Sequence, residues 1–235
     1  HAHEDHIEMS GEQTSAIIYY GSDDAGNLTL KRKLVWPMLR TIPNDTHASL
    51  IHDFPLSISP SISLDGQNIQ QEQLKQVSLN GMLILSSELN NKVTLTRTLA
   101  PSTKQAMMVE RLVFTNNGDK TIELALSKLD YQFNTQANDG VYGVYKIQAT
   151  SDKSGGFSLA SGEELTVFVD FKATKSGQNG SFNGAKELQA RQEYVASLKN
   201  DLQLATPDPV INKMFDFAKL RGAESIFRTK GGLMH

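Results

Sequence analysis

Two short stretches hold most of the side chains whose type and spacing could do chemistry. The first is Trp36-Pro37-Met38-Leu39-Arg40-Thr41-Ile42-Pro43-Asn44-Asp45-Thr46-His47, which contains the only tryptophan of the 235-residue chain. An indole can lie against the face of a sugar ring, and Arg40, Asn44 and His47 can donate to hydroxyls. The second groups Arg228, Lys230 and His235 around Gly231-Gly232, where backbone can approach a ligand closely. Each stretch also has a plain structural reading. Trp36 would plug a core while Arg40 forks onto backbone carbonyls. Arg228 and Lys230 would be cations favoured at a helix C-terminus.

Other candidates are thinner. His1 and His3 permit square-planar Cu(II) or Ni(II) chelation if the terminal amine is free, against a polar terminus that binds nothing. His47, His52, Glu88 and Glu110 are the residue types for acid–base work on a sugar ring, as in mutarotase-type epimerases. No spacing brings them together. No nucleophile elbow appears, and Gly155-Gly156 is not followed directly by the helix that a phosphate loop needs. No cofactor is expected.

Composition limits the class. With 39% hydrophobic and 21% charged residues the chain is an ordinary globular one, long enough for one large domain or two small ones. A net charge of −3 offers no basic field for nucleic acid, and no run of roughly eighteen apolar residues predicts a membrane span. The absence of cysteine excludes disulfides, thiolate metal sites and cysteine nucleophiles. The chain begins with His and no signal-like segment follows, so a processed, exported protein (periplasmic or extracellular) is expected.

The elements that must position these residues are mostly strands. Period-two patterning predicts strands over 14–20, 28–35, 48–54, 58–64, 73–79, 82–87, 93–99, 106–115, 121–128, 141–150 and 163–173. Turn signals such as Asp65-Gly66, Asn80-Gly81 and Asn117-Gly118-Asp119 separate them. Without helical patterns between them, they predict an antiparallel β-sandwich of more than a dozen strands. The prolines of the Trp36–His47 stretch predict an ordered loop, or a strand leaving its sheet. A Gly/Ser/Asn linker follows over 175–184. A helix over 185–202 then has Leu188, Val195, Leu198 and Leu202 near one face, predicted to pack on the sandwich or on the terminal helix. Asp208-Pro209 starts a second helix, predicted to run to about Thr229. Val210, Met214 and Phe217 lie on one of its faces, and Ile211, Phe215, Ala218 and Ile226 on an adjoining one. So wide an apolar surface suits a helix buried on more than one side.

The stretches LVWPMLRTIPNDTHASL (34–50) and TPDPVINKMFDFAKLRGAESIFRTKGGLMH (206–235) resemble bacterial six-hairpin glycosidase-like proteins. In that family an N-terminal β-sandwich leads through a linker helix into an (α/α)6 barrel bearing paired catalytic carboxylates. The resemblance implies a mainly β, supersandwich-like domain over 1–174, a linker and linker helix over 175–205, and the first helix of the barrel over 206–235. It also implies that the catalytic residues lie beyond His235. The expected role is a non-catalytic accessory domain of a glycoside hydrolase, whose partners are an oligo- or polysaccharide and the remaining helical domain. The alternatives are a stand-alone carbohydrate-binding module and a mutarotase-like epimerase. Without its barrel neighbours the terminal helix is expected to show an apolar patch or to self-associate.

Overall fold

A computed structural model describes residues 2–42, 48–90, 92–178 and 183–235. Alternating side chains build three antiparallel sheets. The first runs in the order β1 (His3–Ser10), β2 (Ser15–Ser22), β3 (Leu28–Thr41), β4 (Ala48–Asp53). A second, seven-stranded sheet contains β7 (Gln73–Leu79), β8 (Leu83–Asn90), β9 (Val93–Pro101), β10 (Met107–Asn116), β12 (Asp130–Asn134), β13 (Tyr145–Ser151) and β15 (Glu164–Lys175). Its order is β12-β13-β15-β10-β9-β8-β7, so β15 slots between two strands that precede it in the chain. The third sheet is β14-β11-β5-β6, from β5 (Ile62–Leu64), β6 (Gln67–Ile69), β11 (Ile122–Leu126) and β14 (Gly155–Leu159).

One core joins the three sheets. Met9, Ile18, Leu34 and Trp36 of the first sheet, Leu85, Leu95, Leu112 and Phe171 of the second, and Leu64 and Leu124 of the third are all buried in it. The chain is therefore mainly β, an antiparallel sandwich followed by a helical segment. That segment is α1 (Gly184–Asp201), α2 (Pro209–Ala223) and a hairpin of β16 (Phe227–Thr229) and β17 (Gly232–Met234). Helix α1 lies on the outer face of the seven-stranded sheet, where Leu188 packs with Met82, Ala100, Met107 and Val109. This explains why β10 departs from alternation at its start: Met107 and Val109 meet α1 while Met108 faces the sandwich core.

Charge is also buried in the interior. Arg32 on β3 makes a two-pronged contact with Glu110 on β10, with Nε 2.7 Å from Oε2 and Nη2 2.8 Å from Oε1. Arg97 on β9 reaches the same Oε1 at 2.7 Å and also binds Glu72. Burial alone would raise both carboxyls, but the guanidiniums hold Glu110 and Glu72 below the usual carboxylate range. The quartet sums to zero charge and fastens the first sheet to the second.

The structure corrects several expectations. The polar N-terminal stretch forms β1, paired along its full length with β2, because ladder bonds need only backbone and a few inward residues such as Met9. Strand β3 continues through Pro37. The ladder to β2 stops at Val35, and the register to β4 shifts between Trp36 and Arg40, so no ladder bond needs the missing N–H. The short strands β6, β12 and β14 carry too few apolar residues to declare themselves. Helix α2 ends at Ala223 rather than near Thr229. The chain then turns into the β16–β17 hairpin, and the Arg228 N–H donates to the Glu12 carbonyl at 2.8 Å. Of the α1 stripe, Leu188 and Val195 are buried and Leu198 half-buried, while Leu202 is exposed past the end of the helix.

Candidate functional site

The site grows out of the end of β3. Trp36 is 0% exposed, and its Nε1–H donates to the Ala106 carbonyl at 3.1 Å, so the indole is a core plug with no face for a ligand. Further along, the Arg40 carbonyl accepts the Val141 N–H at 3.0 Å and the Tyr145 hydroxyl at 2.5 Å. The Ile42 N–H donates to the Asp139 carbonyl at 2.9 Å. These bonds fasten residues 139–145 to β3. Within them, Gly140 to Gly143 make a tight turn closed by the Gly143 N–H on the Gly140 carbonyl at 3.2 Å. Gly143 has φ +86°, and a Cβ on Gly140 would lie 2.0 Å from the Gly143 oxygen, so both positions demand glycine. The turn presents Tyr142, partly exposed, between them.

Two lysines converge on that ring. Lys175, the last residue of β15 and the cross-strand partner of Tyr145, sets its ammonium 4.1 Å from the Tyr142 centroid. Lys230, at the tip of the β16–β17 hairpin, sets its own at 4.9 Å. The Tyr142 phenol is held below its usual value, first by a hydrogen bond from Lys230. Desolvation opposes this, and the fields of Lys230, Lys175 and Arg40 add to the lowering, so that the net shift is downward. Beside the ring opens a cleft of about 630 Å³. Leu39, Ala106 and Ala173 supply apolar lining, and Gln13, Gln105 and Gln178 supply amides. Such a mixture of apolar wall, amides and fixed cations can hold a polar ligand carrying negative charge.

The sequence candidates fare unevenly. Arg40 and Lys230, from the two separate stretches, meet at Tyr142. The sequence pattern predicted a strand over 141–150, but the strand begins only at Tyr145, because Gly143 with its positive φ turns the chain around Tyr142; the convergence of cations carried no sequence signal. Arg228 is committed to Glu12, with Nε 2.7 Å from Oε2, and pins the hairpin to the β1–β2 turn. His235 follows β17 and is exposed. Asn44, His47 and His1 lie outside the described residues. His3 starts β1 opposite Ser22, and no group of three or more metal-ligating side chains stands together among the described residues.

Of the epimerase set, the described residues Glu110, Glu88 and His52 are each engaged with different partners. Glu110 is locked between two arginines, and Glu88 pairs with Lys75 at 2.8 Å. His52 bonds the Tyr131 hydroxyl at 3.0 Å and packs edge-on to Phe54; burial lowers its pKa.

A second cleft, of about 550 Å³, is apolar and lies between the β7–β8 turn and the two helices. Leu79, Val195 and Leu198 line one side, and Val210, Met214 and Phe217 the other. Helix α2 buries only Leu220, while Val210 is 61%, Met214 65% and Phe217 44% exposed.

No family model matches this sequence, and no curated protein matches it with significance. Among solved structures, 27 chains match. One is a "putative kojibiose phosphorylase from human microbiome", with 9% sequence identity and a TM-score of 0.47. The match covers 93% of this chain and 39% of that one, so the chain spans well under half of the neighbour's length.

Proposed function

We propose that the chain is the non-catalytic β-sandwich part of a carbohydrate-active enzyme, a glycoside hydrolase whose (α/α)6 catalytic domain begins with α2. In this reading residues 1–174 are the sandwich, 175–205 the linker and its helix, and 206–235 the opening of the catalytic domain. The observation that carries it is the state of α2. The helix leans on α1 and the sandwich through Leu220, Arg221 and Glu224, while Val210, Met214 and Phe217 stay in water. An apolar flank of this kind marks a surface built for further helices, and the resemblance of residues 206–235 to six-hairpin proteins names which. That same flank weighs against a stand-alone binding module.

Glycoside hydrolysis needs two carboxyls at about 5–5.5 Å or about 6.5–9.5 Å, one of them protonated at working pH. In the interior of this sandwich Glu72 and Glu110 are held ionised by arginines, which excludes the acid role, and the guanidiniums occupy the oxygens that a base or nucleophile would need free. The sandwich would brace the barrel, and the Tyr142 cleft would contact sugar.

The test compares the 235-residue chain with the polypeptide continued to the end of its reading frame. Neither hydrolysis nor phosphorolysis of aryl glycosides and disaccharides is expected from the chain alone, and turnover is expected from the longer polypeptide. Turnover by the chain alone overturns the proposal, as does a continuation that lacks a helical, carboxylate-bearing domain.

A further inference from the structure

We infer that the Tyr142 cleft binds the carboxylate of an acidic saccharide, with the anion bridging Lys175 and Lys230; this rests on the carbohydrate reading above. Two ammonium groups within 5 Å of one ring centroid repel each other, and the ring face offsets only part of that repulsion. Among the described residues no carboxylate lies within ion-pair distance of either lysine. The nearby Glu12 is already committed to Arg228. The backbone fixes the pair from two independent elements, β15 and the terminal hairpin, around a turn that only glycines permit. An oxyanion between the ammoniums resolves the repulsion with charge-assisted bonds.

The rest of the cleft is made for hydroxyls. Gln105 and Gln178 have side-chain amides without partners among the described residues, and Gln13 uses only its Nε2, on the Lys104 carbonyl. A free inorganic anion would use the lysines and ignore these amides, whereas a uronate would use both. The same lysines hold the Tyr142 phenol below its usual value, first through a hydrogen bond from Lys230.

The experiment titrates the chain with an α-1,4-galacturonate trimer, the neutral galactose trimer of the same linkage, and inorganic phosphate. Trp36, the only tryptophan, is bonded to Ala106 of the cleft lining and supplies an intrinsic fluorescence signal. The acidic trimer is expected to bind about tenfold or more tighter than the neutral one, with affinity falling as salt rises. The Lys175→Gln/Lys230→Gln double variant should lose that preference while keeping wild-type Trp36 emission. Its Tyr142 phenol should ionise at higher pH in an ultraviolet titration referenced to Tyr142→Phe. Equal binding of the two trimers overturns the inference and leaves the carbohydrate reading intact. Binding of phosphate alone overturns it and counts against that reading as well. No binding of any probe, together with glycosidase activity in the longer polypeptide, overturns the inference only.

Discussion

Asp170 shows what a single side chain can do to this fold. It sits on β15 beneath the start of α1, where its Oδ1 lacks a hydrogen-bond partner among the described residues. Gly184 packs so near that a Cβ there would stand 2.3 Å from that oxygen. Desolvation pushes the Asp170 carboxyl up to about 6; Lys172 opposes this, and Asp152 and Glu187 add to it. The folded state therefore binds a proton that the unfolded chain, near its ordinary 3.8, does not. Stability from this group is present in full below the unfolded value and is lost as pH rises through the folded one. Asp170→Asn should be more stable than the parent at pH 8, raising Tm by roughly 2–4 °C for each kcal/mol gained, with the gain vanishing near pH 4. Thermal melts across that range check it, and a loss at pH 8 would contradict the assigned cause. Nothing in the sequence marked Asp170, because an aspartate alternating along a strand reads as solvent-facing unless the helix crossing above it is known.

Among the elements, α2 is the least supported. Its N-terminus is well built, with Asp208 accepting the Val210 N–H at 2.8 Å and Pro209 at the first helical position. Its C-terminal half is held by Leu220, by Glu224 with Arg191, and by Arg221 on the Glu8 carbonyl. The half carrying Val210, Met214 and Phe217 has only one covered side. Amide exchange should be faster over residues 210–217 than over 218–223, and light scattering should show association as concentration rises. Met214→Lys/Phe217→Lys should abolish association without lowering Tm. Uniform slow exchange in a strict monomer would mean that the helix is complete as it stands.

This element also shows what patterning can and cannot reveal. Asp-Pro fixed the start of α2 to the residue, since capping is local chemistry. Its end at Ala223 depends on Glu12 and Glu224, each paired with a distant residue, and periodicity cannot see that. The same holds for Lys230, readable as a cation near glycines, and for Tyr142, whose significance comes only from strands that meet it in space.

At the scale of the whole molecule, Arg191 joins the two helices to the first and second sheets. Its guanidinium is fully buried and donates to the Gly81 carbonyl at 3.2 and 3.0 Å and to the Ser10 carbonyl at 2.9 Å, while also pairing with Glu224. One side chain thus ties α1, α2, the β7–β8 turn and the end of β1. The sequence shows Arg191 only as one of many charges on an amphipathic helix. Arg191→Met would leave the Gly81 and Ser10 carbonyls buried without this donor and Glu224 with only Arg221 as its cation, at about 3–5 kcal/mol. Denaturant unfolding should show that loss, with the helices melting before the sandwich, and an unchanged single transition would refute the joint. The sandwich itself was legible from its alternation, since sheets with one buried face write that pattern directly. The charged quartet inside it was not, because Arg32, Arg97 and Glu110 occupy positions that alternation alone cannot distinguish from core or surface.

The place of β15 in the seven-stranded sheet matters before the protein is finished. As the chain leaves the ribosome, β7 to β10 form a meander whose outer edge is β10, with Met107, Met108, Val109, Leu112 and Phe114 along it. That edge must wait for β15, roughly fifty residues later, which at ~5–20 residues per second is several seconds of synthesis. An open, apolar strand edge is a template for pairing with another chain. The nascent protein is therefore most vulnerable between residues 116 and 164, and a cell producing it has reason to shield that interval with a chaperone.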